Sequence, residues 1–122
     1  MKKQIKYRIP ANYMDIVYVP SEKLTFDENE EGCVVLKVEN RGFFNTIAQK
    51  FFHKPRFSHI SLDKYGTVVW KCFDGKNSVN DIIEKMKATF PEEADRMLDR
   101  TVHFLRILAV NDYIKKVKKE EV

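Results

Sequence analysis

The sequence predicts an α+β domain of winged-helix-like build, a three-stranded antiparallel sheet followed by a three-helix bundle. Three observations carry that prediction. Short β-branched and aromatic runs broken by turn residues fill the first half of the chain. From Asp63 onward the apolar residues recur with helical spacing. Three strands cannot bury an apolar face by themselves, so the helices must pack on the sheet.

The first twenty residues, through Pro20, hold two prolines and little periodicity, and read as an extended arm with a strand fragment at Ile16-Val17-Tyr18-Val19. Residues 21–122 then form the domain proper. Lys23 to Phe26 is a short strand, Asp27 to Gly32 an acidic turn closed by glycine, and Cys33 to Val38 a β-branched strand, which together make a hairpin. Asn40-Arg41-Gly42 breaks the second strand. Phe43, Phe44, Ile47, Ala48, Phe51 and Phe52 fall at helical spacing, and Pro55 ends that short amphipathic segment by excluding its predecessor from the α region. Phe57 to Leu62 is the third strand.

The helical half begins with Tyr65 to Asp74, carrying Val68, Val69, Trp70 and Phe73, with Gly75 placed for a left-handed C-cap. Ser78-Val79-Asn80-Asp81 has capping-box chemistry and opens a helix that buries Val79, Ile82, Ile83 and Met86. Pro91 suits the first turn of a last helix, with Glu92 and Glu93 at its positive end, running to about Val110. Asn111-Asp112 is a turn, and Tyr113 to Lys115 a last turn or short strand.

That last helix carries more apolar surface than one face needs. Ala94, Leu98, Val102, Leu105, Leu108 and Ala109 form the expected core stripe. Met97, Phe104 and Ile107 form a second one on its shoulder, beside Arg100 and His103. A surface helix needs an apolar arc of only about 100°, and this one is roughly twice as wide. Either helices flank it on both sides, or the second stripe lines a groove for an apolar partner.

Composition narrows the function classes. With 43% apolar and 33% charged residues the chain is of the ordinary globular class, and no apolar run approaches the roughly 20 residues of a membrane span. No signal-peptide pattern follows the basic N-terminus, so a cytoplasmic location is expected. Cys33 and Cys72 belong to no CxxC pair and read as small buried hydrophobes. His53, His59 and His103 are scattered, and no HExxH, nucleophile elbow, phosphate loop or calcium loop is present. Catalytic residues, a metal site and a cofactor are therefore not expected. The net charge of +4 allows a winged-helix DNA-binding domain, but both candidate helices mix acids with bases. A general protein-interaction subunit, docking through Phe43 to Phe52, is the other alternative.

One ordered set of residues is more specific. From Ile60-Ser61-Leu62-Asp63-Lys64-Tyr65-Gly66 through Val68-Val69-Trp70, the turn Asp74-Gly75, Ser78-Val79 and Ile82-Ile83, and on to Leu105-Arg106-Ile107-Leu108 and Asn111-Asp112-Tyr113-Ile114, the chain resembles PqqD-like proteins. Residues 41–56, Gly-Phe-Phe through Lys-Pro at their centre, look like the insertion of a Gram-positive branch of that family. The resemblance implies a non-catalytic peptide-recognition element, a chaperone of peptide modification. Such an element binds the leader of a ribosomally made precursor peptide and presents it to a modifying enzyme, often a radical SAM enzyme. It implies that the leader adds as a strand to Phe57, Ser58, His59, Ile60, Ser61 and Leu62, against a wall of Met97, Arg100, Thr101, Phe104 and Ile107. Specific nucleic-acid binding is not expected, and a homodimer is compatible with the reading.

Overall fold

The hairpin forms where Asn29 and Gly32 allow the chain to turn. In the computed structural model, which describes residues 11–39 and 57–117, strand β2 (Leu24–Glu28) pairs antiparallel with β3 (Val34–Glu39). Asn29 Oδ1 accepts the backbone N–H groups of Glu31 and Cys33, each at 3.0 Å. Gly32 takes the left-handed conformation, φ +78°, which a side chain would strain. β4 (Phe57–Ser61) pairs antiparallel with the other side of β3, giving the order β2-β3-β4. The face of Leu24, Val34 and Leu36 is buried against the helices. Phe26, on the same face near the rim, rests edge-on against Trp70 and stays half exposed.

Three helices follow among the described residues: α1 (Lys64–Lys71), α2 (Val79–Thr89) and α3 (Ala94–Val110). Asp63 caps α1, its carboxylate accepting the Gly66 N–H at 2.8 Å. α1 stops earlier than the expected Asp74. The N–H groups of Cys72 and Phe73 reach back only to Val69 and Trp70, so the last turn tightens and the helix ends. The Asp74 carboxylate then accepts from the N–H groups of Lys76 and Asn77. Gly75, at φ +82°, serves this turn rather than a C-cap. The capping box of α2 forms as the sequence predicts, Asp81 N–H to Ser78 Oγ at 3.2 Å and Ser78 N–H to the Asp81 carboxylate at 3.0 Å. Pro91–Glu93 make a 3-10 turn that leads into α3.

The buried face of α3 is rotated from the expected stripe. Met97, Thr101, Val102, Leu105 and Leu108 are its buried residues, while Ala94, Leu98 and Ala109 are only half buried. Met97, assigned by periodicity to the second stripe, is wholly buried. The shift arises because α3 packs extensively on α2, which draws the 97/101 edge of the helix inward.

Of the N-terminal arm, Ala11–Asp15 form a 3-10 turn and Tyr18–Pro20 a strand, β1. β1 pairs antiparallel with β5 (Ile114–Lys116), Tyr18 opposite Lys116 and Pro20 opposite Ile114. Tyr18 and Ile114 are both buried in the common core. The expected helical segment Phe43 to Phe52, the 41–56 insertion that contains it, and His53 lie outside the described residues.

Candidate functional site

β4 stands at one end of the sheet, and its hydrogen-bond phase decides what it offers there. The Leu62 N–H donates to Val34 O at 2.8 Å, continuing the ladder one residue past the strand. Leu36 lies opposite Ile60 and Val38 opposite Ser58, whereas Lys37 lies opposite His59 and Val35 opposite Ser61. Bonded and non-bonded pairs alternate along an antiparallel ladder. Ser58, Ile60 and Leu62 thus turn their main-chain groups toward β3, and His59 and Ser61 turn theirs to the far side. No described strand lies on that side of β4.

Two residues beyond β4 a pocket of about 260 Å³ opens between the start of α1 and the first half of α3. Val69, Met86, Met97 and Phe104 give it apolar walls. Gly66 lets the two helices meet here: a Cβ at that position would stand 3.1 Å from Phe104 Cζ and 3.3 Å from Leu62 Cβ. Glycine is used because a backbone must come close to another group. Thr101 also lines the pocket; it is 1% exposed, and its Oγ1 has no hydrogen-bond partner among the described residues.

A polar cluster forms the rim. The Tyr65 hydroxyl donates to Glu93 Oε2. Arg100 Nη1 lies 3.5 Å from Glu93 Oε1, and its guanidinium sits 5.1 Å from the Tyr65 ring centroid. Phe90 packs on Tyr65 with ring centroids 4.5 Å apart. The ion pair itself is half exposed and contributes little stability; its effect is to hold a cation at the mouth of an apolar pocket.

The structure thus brings Met97, Arg100, Thr101 and Phe104 into one pocket. Met97 and Thr101 are deep, Phe104 is partly buried, and Arg100 is at the rim. Ile107 lies farther along α3, 46% exposed and outside the pocket lining. Of the expected strand, Leu62 is buried, Phe57, Ser58 and Ile60 are partly buried, and His59 and Ser61 are exposed. Asp63, Tyr65, Gly66, Val69 and Met86 complete the pocket and were not among the residues expected from sequence. A glycine in the first turn of a helix, three residues after its Asp cap, was the signal available for two of them.

The family model described as Coenzyme PQQ synthesis protein D (PqqD) matches residues 32–114. The chain belongs to the PqqD family. The matched span begins at the hairpin glycine and ends on the first residue of β5, so it includes β4, all three helices and the pocket of this PqqD-family chain. Neither a search of curated proteins nor a search of solved structures returns a match. No helix among the described residues is long and apolar enough to cross a membrane.

Proposed function

We propose that this PqqD-family domain is a non-catalytic peptide-binding chaperone. It takes the leader of a ribosomally made precursor peptide as an added strand on β4 and presents it to a modifying enzyme, of which a radical SAM enzyme is the expected kind. The observation that carries the reading is the outward phase of His59 and Ser61 at the sheet edge, continuous with the apolar pocket beyond Leu62. An edge strand offers N–H and C=O groups that template another strand, and side-chain pockets beside it supply register. Family membership supports the same reading. A DNA-binding role finds less support, because bases on the candidate helices are partnered by acids, Lys87 by Glu84 and Arg100 by Glu93.

The test is titration of the 15N-labelled protein with peptides tiled across the short reading frames flanking its gene. Saturable binding of one peptide, with shifts at the His59, Ser61, Thr101 and Phe104 amides, is the expected result. A peptide that binds elsewhere on the domain, or a complete set that does not bind, overturns the proposal.

A further inference from the structure

The sheet has a second edge, on the side of β2 away from β3, and the hairpin fixes its phase. The Asn29 N–H donates to Cys33 O at 2.9 Å, and along the same register Asp27 lies opposite Val35 and Thr25 opposite Lys37. Bonded and non-bonded pairs alternate, so Thr25 and Asp27 turn their main-chain groups to β3. Leu24, Phe26 and Glu28 turn theirs outward, and no described strand lies on that side of β2.

Above this edge the helix layer stops short. Thr67 Oγ1 accepts the Val34 N–H, which seats α1 over β3. Phe26 projects at the open rim, 53% exposed, with one edge of its ring against Trp70. Among the described residues it is the only exposed large aromatic side chain.

We infer that this edge pairs with the same edge of a second copy of the chain, β2 against β2, in a two-fold antiparallel dimer. The strand is complementary to itself. Its five residues, Leu24–Glu28, centre on Phe26, whose main chain faces outward. Full overlap therefore sets Phe26 against Phe26 as a bonded pair, with Leu24 and Glu28 bonding on either side. The two rings meet across the axis and extend the Phe26–Trp70 contact into a row of four aromatics. Aromatic cross-strand pairs are favourable.

The charges fit the same register. Asp27 faces Thr25, and Glu28 faces Leu24 while keeping its own Lys71 at 2.7 Å. Asp27 lies diagonally between Lys23 and Asp27 of the other copy, one neighbour of each sign. A slide of two residues, the next arrangement in phase, leaves only three residues paired, and in one direction sets Asp27 against Asp27. The dimer has one continuous sheet, β4-β3-β2-β2-β3-β4, with both β4 edges at its outer ends. It leaves the edge proposed for the leader uncovered, so the inference stands or falls independently of leader binding.

A seam of five residues from each copy is small beside a standard interface, so association is expected to depend on concentration. Sedimentation velocity of the full chain across a dilution series should show monomer passing to dimer. Phe26→Lys should stay monomeric throughout, with an unchanged far-UV circular dichroism spectrum. Val110→Lys, at an 83% exposed apolar site on α3, should dimerise as wild type does. So should His59→Pro, which alters the opposite edge of the sheet.

The register is read with Phe26 in place. In a Cys33→Ser background, Thr25→Cys and Asp27→Cys proteins are mixed and oxidised. Opposite non-bonded residues have Cα atoms about 4.5 Å apart, within the disulfide range. The mixture should cross-link faster than either protein alone. A chain that is monomeric at every concentration, or a dimer that Phe26→Lys leaves intact, overturns the proposal. A dimer broken by His59→Pro places the contact on β4 and overturns it too. A mixture that cross-links no faster than its components overturns the register.

Discussion

The backbone N–H of Val34 donates to Thr67 Oγ1 at 3.0 Å, both residues buried, so the first residue of β3 is fastened to the middle of α1 by a side chain. This bond lies beneath the segment that presents β4 and the pocket. Thr67→Val keeps the shape but leaves the Val34 N–H unsatisfied, which costs about 1–3 kcal/mol. Urea denaturation should show that loss, with Thr67→Ser retaining more stability than Thr67→Val. A Thr67→Val protein as stable as wild type would mean that the N–H finds another acceptor.

The capping box of α2 yields a second prediction. Ser78 and Asp81 each satisfy the other's backbone N–H. Ser78→Ala should destabilise the domain by about 0.5–2 kcal/mol, as loss of an N-cap typically does. The two side chains form one motif, so the double variant with Asp81→Ala should cost less than the two single changes added together. Full additivity in a double-mutant cycle would show that the two bonds act independently.

The two thiols should react at different rates. Cys72 is buried and its Sγ donates to Val68 O at 3.2 Å, whereas Cys33 is partly exposed. Burial pushes the Cys72 thiol above its ordinary pKa. A raised pKa means less thiolate at a given pH, and thiolate is the reactive form. Near pH 8, alkylation of the native protein followed by mass spectrometry should modify Cys33 first and Cys72 slowly. In denaturant the two rates should converge. Rapid labelling of Cys72 in the native state would mean that the α1–α2 turn opens readily.

Much of this fold was legible from local chemistry. The hairpin followed from a β-branched run and the glycine turn at Gly32, the start of α2 from Ser78 and Asp81, and the end of α3 near Val110 from its periodicity. Less legible was anything set by long-range packing. Periodicity shows that α3 has a wide apolar arc but not which edge another helix will cover, and so Met97 was placed on the shoulder rather than in the core. The β1–β5 ladder joins residues nearly a hundred positions apart, and three-residue strands leave almost no period to read. The family resemblance named Met97, Arg100, Thr101 and Phe104, which line the pocket, together with Ile107, which does not. The pocket wall from α1 depends on the approach of Gly66 to Phe104, which is a tertiary distance.

The phase of β4 supports the most discriminating prediction. The His59 N–H points away from β3, and the Ile60 N–H points into the ladder opposite Leu36. Proline removes a donor, and in a sheet it is tolerated at an edge where that donor faces outward. His59→Pro should therefore keep the β3–β4 ladder and melt near the wild-type temperature. Ile60→Pro removes the ladder bond to buried Leu36 and should destabilise the domain by about 1–3 kcal/mol for the acceptor left unpaired. If a leader adds to this edge, His59→Pro also removes a donor from the new ladder and sets a ring against the incoming strand. Its affinity for a bound leader peptide should fall at least about tenfold, from one lost hydrogen bond of roughly 0.5–1.5 kcal/mol and the added clash. Isothermal titration and thermal melting on the two variants separate the possibilities. A stable His59→Pro protein that binds its peptide as wild type does would exclude strand addition at this edge. Greater destabilisation by His59→Pro than by Ile60→Pro would mean that the ladder runs in the opposite phase.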